Sequence, residues 1–225
     1  MLSDRMEKIL NMCDALPVWS DIGCDHGRIS AELILRKKAQ KVIAADVSRP
    51  SLNKAEELSL SLGLCEKMEC RWGDGMKILE VGEANGAVIA GMGTPLIEKI
   101  IAGSEEVAQG MDELVLSPNN YPHRLRKWLY ENGLCILRET VATDDDRFYP
   151  VIKARFERAD MPKEAELHTG VNVKRDETFF KYLDWLISRE NEIISRISPD
   201  DERVKEHIYK RDVYEEVKND KHKAV

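Results

Sequence analysis

The chain has 225 residues, 43% hydrophobic and 33% charged, which suits one full domain plus a remainder of about 50 residues and excludes wholesale disorder. No apolar run approaches the roughly 20 residues of a membrane span. The N-terminus lacks the apolar stretch of a secretory signal, and five cysteines without a CxxC pair indicate neither a disulfide framework nor a zinc ribbon. A reducing, cytoplasmic setting is expected, and a net charge of −7 (34 bases, 41 acids) disfavours binding of nucleic acid through bulk electrostatics, leaving local basic patches.

Strand-like and helix-like patterns alternate from the start. Ser3 is placed to cap an amphipathic helix with Met6, Ile9, Leu10 and Cys13 on one face. Residues 18–22 lean towards a strand, and a helix is predicted from about 28 to 38. Residues 41–46 (KVIAAD) read as a buried parallel strand because they are almost continuously apolar. Pro50 suits the first turn of a helix that runs to about Gly63. Strands follow at 67–72, 86–92 and 112–117, with a helix around 95–102. Ser117-Pro118-Asn119-Asn120-Tyr121-Pro122 breaks the chain before a helix at about 122–131. Two more strands, 134–141 and 147–157, flank an acidic turn that includes Asp146. Repeated βα units imply a parallel sheet with helices on both faces, and the two consecutive strands at the end imply an antiparallel hairpin at one edge.

The pattern changes near Met161, so residues 1–160 and 161–225 read as two parts. Residues 162–173 read as a loop-like connector. Phe179, Leu183, Leu186, Glu190, Ile193 and Ile197 then step by 4, 3, 4, 3, 4, a coiled-coil seam. Ser198-Pro199-Asp200-Asp201-Glu202 reads as the start of a second helix carrying Val204, Ile208, Tyr209, Val213 and Val217. The pair is expected to form an antiparallel hairpin.

In open α/β sheets ligands bind beyond the carboxyl ends of the strands. After the first strand stands Asp21-Ile22-Gly23-Cys24-Asp25-His26-Gly27. It lacks the dinucleotide pattern GxGxxG and is nearest to the acidic-x-Gly-x-Gly-x-Gly loop of S-adenosylmethionine (SAM) enzymes, with Asp25 at the middle glycine. Asp46, followed by Val47, ends the second strand 19 residues after Gly27, where an acid can accept from both ribose hydroxyls of a nucleoside. Gly73-Asp74-Gly75 ends the third strand; Asp74 is placed for an adenine amino group. Ala90-Gly91-Met92-Gly93-Thr94 follows the fourth strand, and its glycines let backbone approach a ligand. Ser117, Pro118 and Asn119 follow the fifth, where a side-chain amide can read a planar base edge. Beyond them, Arg124, Arg126 and Lys127 form a candidate phosphate-contacting patch among aromatics. Arg36, Lys37, Lys38 and Lys41 read as a solvated helix end. His26, His123, His168, His207 and His222 have no metal spacing, so no metal is expected.

Five pieces occur together: DIGCDHG (21–27), GDGM (73–76), VIAGMG (88–93), SPN (117–119) and LRKWLY (125–130). In order and spacing they resemble the bacterial tRNA (adenine-22-N1)-methyltransferase family. The resemblance implies a Rossmann-like class I methyltransferase sheet with a C-terminal coiled-coil hairpin, SAM as cofactor, tRNA as partner and methylation of adenine N1. No membrane or DNA partner is implied, and a monomer or weak dimer is expected. The chain departs from the family at Thr94 (usually Gly), at Ser117 (usually Gln) and at Arg28-Ile29-Ser30; Thr94 and Ser117 are expected to line the acceptor side. The residues agree with ring-nitrogen chemistry. The Asp/Asn-Pro-Pro-aromatic run of exocyclic-amine enzymes is missing after the fourth strand, and Asn119 stands where a C5-pyrimidine enzyme needs a cysteine. Adenine N1 already holds a lone pair, so positioning supplies most of what is needed. Asn119 is assigned to the base edge, and Asp21 or Asp25 to the proton that leaves the amino group. Two other readings remain open: a nicotinamide oxidoreductase, and a non-catalytic RNA-binding adaptor.

Overall fold

The computed structural model describes residues 2–145, 147–198 and 200–220. Helix α1 (Asp4–Met12) begins at Ser3, whose hydroxyl accepts from the Met6 N–H at 3.4 Å, with Asp4 and Glu7 adding negative charge to the first turn. Strand β1 (Leu16–Ile22), α2 (Arg28–Leu35), β2 (Ala39–Asp46), α3 (Arg49–Ser61) and β3 (Met68–Trp72) alternate as the sequence pattern predicts. They are followed by β4 (Gly86–Met92), α4 (Thr94–Ala102), α5 (Glu105–Gln109), β5 (Glu113–Pro118), α6 (Pro122–Glu131), β6 (Leu134–Asp144) and β7 (Arg147–Phe156).

The seven strands form one sheet in the order β3-β2-β1-β4-β5-β7-β6. β1 to β5 are parallel, and β7 runs antiparallel to both β5 and β6, so the closing hairpin forms the edge. Alternate residues of each central strand face opposite layers. Ile43 and Ala45 pack with Ile97 and Ile101 of α4 and Leu125 and Leu129 of α6. Val42 and Ala44 pack with Ile9 and Leu10 of α1, Leu33 of α2 and Leu52 of α3. Burial on both faces is why β2, β4 and β5 read as unbroken apolar runs.

Three elements differ from the expectation. α2 stops at Leu35 because Lys37 turns left-handed (φ 57°) and the Lys38 N–H returns to the Leu33 carbonyl. The stretch read as a connector contains α7 (Glu164–Thr169), which the side chain of Arg126 holds by its Leu167 carbonyl. The hairpin is present as α8 (Glu177–Arg196) and α9 (Arg203–Asn219), but α9 starts later than the expected Ser198 cap. Asp201 accepts from the Arg203 N–H instead; Pro199, like Asp146 and His222, lies outside the described residues.

The hairpin is docked at its base. Phe179 and Leu183 of the predicted seam are buried with Tyr182 against Val141 of β6, and Phe148 of β7 packs on Tyr182 and Trp185. Further out, the seam glutamate Glu190 meets His207 Nδ1 across the hairpin at 2.6 Å. Among the described residues no helix is long and apolar enough to cross a membrane.

Candidate functional site

The carboxyl ends of β1 to β4 converge on two adjoining clefts, and the end of β5 is tied to their shared wall by Asn119 at the Gly91 carbonyl. The loop after β1 is held by its backbone: the Gly23 and Cys24 N–H groups both donate to the Ala45 carbonyl, at 2.8 and 3.0 Å. Gly23, Asp25 and Gly27 all take left-handed backbone (φ 75°, 50° and 69°). Asp25 fills the position where the glycine pattern has its middle glycine, and Asp is among the few residues that tolerate that conformation. Asp46 braces the turn, its carboxylate accepting from the Asp25 N–H at 3.0 Å and the Ser48 N–H at 2.7 Å.

Two aspartates of the loop differ sharply. Asp21 is buried and accepts from the Ser30 hydroxyl at 2.6 Å and N–H at 3.2 Å. Burial pushes its carboxyl up to about 6, against the two Ser30 hydrogen bonds, and the nearby Asp46 charge adds to the rise. Asp25 is exposed; its Oδ2 lies 2.7 Å from His26 Nδ1, and His26 Nε2 lies 3.0 Å from Lys54 Nζ. An ammonium only donates, so Lys54 fixes the ring with its proton on Nδ1, facing Asp25. Cys24 is buried, and burial pushes its thiol up.

The first cleft, of about 270 Å³, runs from Gly23 past Asp46 and Val47 to the Gly73–Gly75 turn, with Ala90, Gly91 and Met92 opposite. Asp74 is exposed beside it, and Lys77 at 2.7 Å holds its carboxylate below the usual range. The second cleft, of about 430 Å³, is walled by α1 and by the loop after β1, including Asp21, Cys24, Asp25 and His26. The two share Gly23, Ala90 and Gly91. Gly91 has φ 77° and a Cβ built on it meets nothing within 4 Å, so a side chain there would be strained and would occupy the junction. At Gly23 a Cβ would strike the Met92 methyl at 2.1 Å. Gly27 and Gly93 line neither cleft. Gly27 precedes α2 and packs on Met68 and Ala55, while Gly93 precedes α4 beside the Asn120 amide.

The strand end after β5 divides. Asn119 is exposed, its Nδ2 donating to the Gly91 carbonyl at 2.6 Å. Ser117 and Pro118 are buried, and the Ser117 hydroxyl donates to the Pro150 carbonyl, so neither can touch a substrate. Thr94 is also buried and donates to the Asn120 carbonyl at 2.7 Å. Thr94 and Ser117 are therefore framework residues, not acceptor-side lining, whereas Arg28 and Ile29 of the third departure line the second cleft.

The cationic patch on α6 is likewise mostly compensated. Arg126 is 1% exposed, pairs with Glu139 at 3.0 Å and donates to the Leu167 carbonyl at 2.9 Å. It joins α6 to β6 and α7 and is no phosphate contact. Arg124 pairs with Glu98 at 2.5 Å and Lys127 with Glu131 at 3.7 Å; both remain exposed.

Sequence reasoning missed Arg5. It lies in the second cleft, donates to Ser117 and Asn119, and sits over the Tyr149 ring. Nothing local distinguishes it from any other arginine on the polar side of a helix. Arg28, at the start of α2, lines the same cleft.

The methyltransferase domain family matches residues 2–152. The tRNA (adenine(22)-N(1))-methyltransferase of Bacillus subtilis (strain 168) is 30% identical over 153 residues, 68% of this chain and 64% of that protein. The chain thus spans just under two thirds of the curated relatives it matches. The crystal structure of the B. subtilis M1A22 tRNA methyltransferase TrmK superposes with a TM-score of 0.82 at 26% identity, over 97% of this chain and 99% of that one. M. capricolum TrmK in complex with S-adenosyl-homocysteine gives 0.85 at 21% identity, over 97% and 98%. The likeness to TrmK extends through α8 and α9, and the family match takes in the loop after β1, both shared glycines and Asn119. On these grounds the chain belongs to the methyltransferase domain family.

Proposed function

We propose that the protein is a SAM-dependent methyltransferase acting on N1 of an adenine in tRNA, at position 22 as in its B. subtilis relative. The observation that carries this reading is the junction. Two clefts meet across Gly23 and Gly91 with no side chain from either residue between them. Bound in the first cleft, SAM would supply an electrophilic methyl group. Asp46 is then the acceptor for the ribose hydroxyls, Asp74 for the adenine amino group, and the Gly23 and Gly91 backbones admit close approach.

The second cleft takes the target base. Adenine N1 lies on the Watson–Crick edge, so the base must arrive unpaired or flipped out. Asn119 holds its edge, and Ile9 and Met6 of α1 give it an apolar wall. Methylation places positive charge on the ring until a proton leaves the amino group. Asp21 and Asp25 line this cleft and put negative charge where it develops. Arg28 lines this cleft and Lys54 meets its His26 at 3.0 Å, while Arg49 lies over the exposed Trp72 ring at 4.5 Å; none of the three has a carboxylate partner among the described residues. These cations, more than the paired ones of α6, are free to meet phosphates.

The test is incubation of unmodified tRNA with the protein and SAM, followed by nucleoside analysis. N1-methyladenosine at one position is expected. SAM binding without methylation of any tRNA would leave the adaptor reading; methylation elsewhere on the base would remove the role given to Asn119.

A further inference from the structure

Arg5 reaches from α1 into the acceptor cleft and is held there by several groups. Its Nε donates to the Ser117 hydroxyl at 3.0 Å, its Nη2 to the Ser117 carbonyl at 2.7 Å and its Nη1 to Asn119 Oδ1 at 2.9 Å. The guanidinium lies over the Tyr149 ring, 4.1 Å from the centroid. Anchoring α1 does not require this. The helix is already fixed by buried Ile9, Leu10 and Met12, and by Asp4 accepting from the Thr143 N–H at 2.8 Å. A half-buried cation forked onto the strand end that carries Asn119 calls for a different account.

The account lies in the chemistry of the partners. A side-chain amide can rotate by half a turn and exchange its oxygen and nitrogen. A guanidinium only donates, so it accepts only the oxygen as neighbour; the Gly91 carbonyl only accepts, so it takes only the nitrogen. Asn119 is therefore left with one N–H and one lone pair in a set order. That order matches the N7 acceptor and N6 donor of an adenine read along its other edge, which leaves N1 free. Reversing the amide would reverse the base.

We propose that Arg5 is a positioning residue for methyl transfer: it locks the Asn119 amide in the one orientation that presents adenine with N1 towards the junction. The proposal rests on the tRNA-adenine reading above.

The test is a double-mutant cycle in the full chain. Arg5→Ala is expected to lower kcat ten-fold or more while KM for tRNA, SAM affinity and melting temperature stay nearly unchanged. Added guanidinium ion should recover part of the rate. In an Asn119→Ala background, Arg5→Ala should cost less than two-fold further, because its target is gone. Equal losses in both backgrounds, or a loss confined to KM, overturn the proposal. If Arg5→Ala fails to fold, Arg5→Met decides, since it keeps an apolar stem but loses every donor to Asn119 Oδ1; a wild-type kcat there also overturns it. A readout without RNA separates this from the parent reading: the Asn119 side-chain amide resonances should show one orientation in the wild type and exchange in the variant. Wild-type protein that methylates no tRNA removes the parent reading whatever the amide does.

Discussion

Single residues at the site carry opposing demands of stability and chemistry. Asp21 holds its proton more tightly folded than unfolded, since burial lifts it from 3.8 to about 6. The folded state thus binds more protons between about pH 4 and 6, and stability falls as pH rises through that window. Asp21→Asn removes the buried charge. Its stability advantage over wild type should be larger at pH 8 than at pH 4.5 by about 1–3 kcal/mol in urea titrations, while turnover falls. Arg126 shows the other case. Arg126→Met leaves Glu139 buried without its partner and should cost about 3–5 kcal/mol, with most of it recovered in the Arg126→Met, Glu139→Leu double variant. Arg124 is exposed and water can replace it at the buried Glu98, so Arg124→Ala should lower the urea midpoint far less than Arg126→Met. Sequence alone grouped Arg124 and Arg126, two residues apart, in one patch; the turn of the helix sends one to water and the other into the core. Arg5 was beyond such reading, because its role is set by atoms of Ser117 and Asn119.

Elements were legible where their burial is uniform. β2 and β4 are covered on both faces, so their apolar runs announce them, and the acids and glycines at their ends fall at the cleft. α7 offers no such signal. It has six residues, and its form depends on Thr169 donating to the Ala165 carbonyl and on Arg126 binding the Leu167 carbonyl. The contacts of α7 with α6 and α9 also create a titrating joint. His123 and His168 stack with ring centroids 5.4 Å apart, and His168 meets Tyr209 and Tyr214 of α9 edge-on. Burial lowers both imidazoles, His123 to about 4, reinforced by their mutual repulsion for His123 and by Lys210 and Arg126; Glu164, Glu190 and Glu206 oppose this. The folded state therefore binds fewer protons than the unfolded chain between about pH 4 and 6.5, and stability falls as pH drops through that window. His123→Phe should lessen the fall in urea midpoint between pH 7 and pH 5.

At the scale of the whole molecule the hairpin is a docked lever. Its base covers Val141 and stacks on Phe148, so a cut before α8 would uncover the sheet and confuse folding with function. Replacing only residues 191–206 with a short turn keeps that base. We expect SAM affinity and melting temperature to be nearly unchanged and tRNA affinity to fall ten-fold or more, measured by filter binding at fixed salt. Normal turnover on tRNA would give the hairpin tip some other task. The seam of the hairpin was readable from its spacing; its docking was not, because Tyr182 and Trp185 lie off that seam and meet partners in β7.

The contacts that close the acceptor cleft join segments made far apart in time. Asp4 and Arg5 leave the ribosome before their partners Ser117, Asn119 and Thr143, which lie 112, 114 and 139 residues further along. Every residue of the cofactor cleft falls between Ile22 and Ile100. With synthesis proceeding at roughly 5–20 residues per second, the donor half is complete roughly 1–4 seconds before the strand end that orients the acceptor. A chain stalled or cleaved ahead of β5 has no strand end for Arg5 to grip. Such a fragment also lacks Leu114, Leu116, Leu125 and Leu129, which pack in one core cluster with Ile22 and Ala45 beside the first cleft, so neither half of the site is complete.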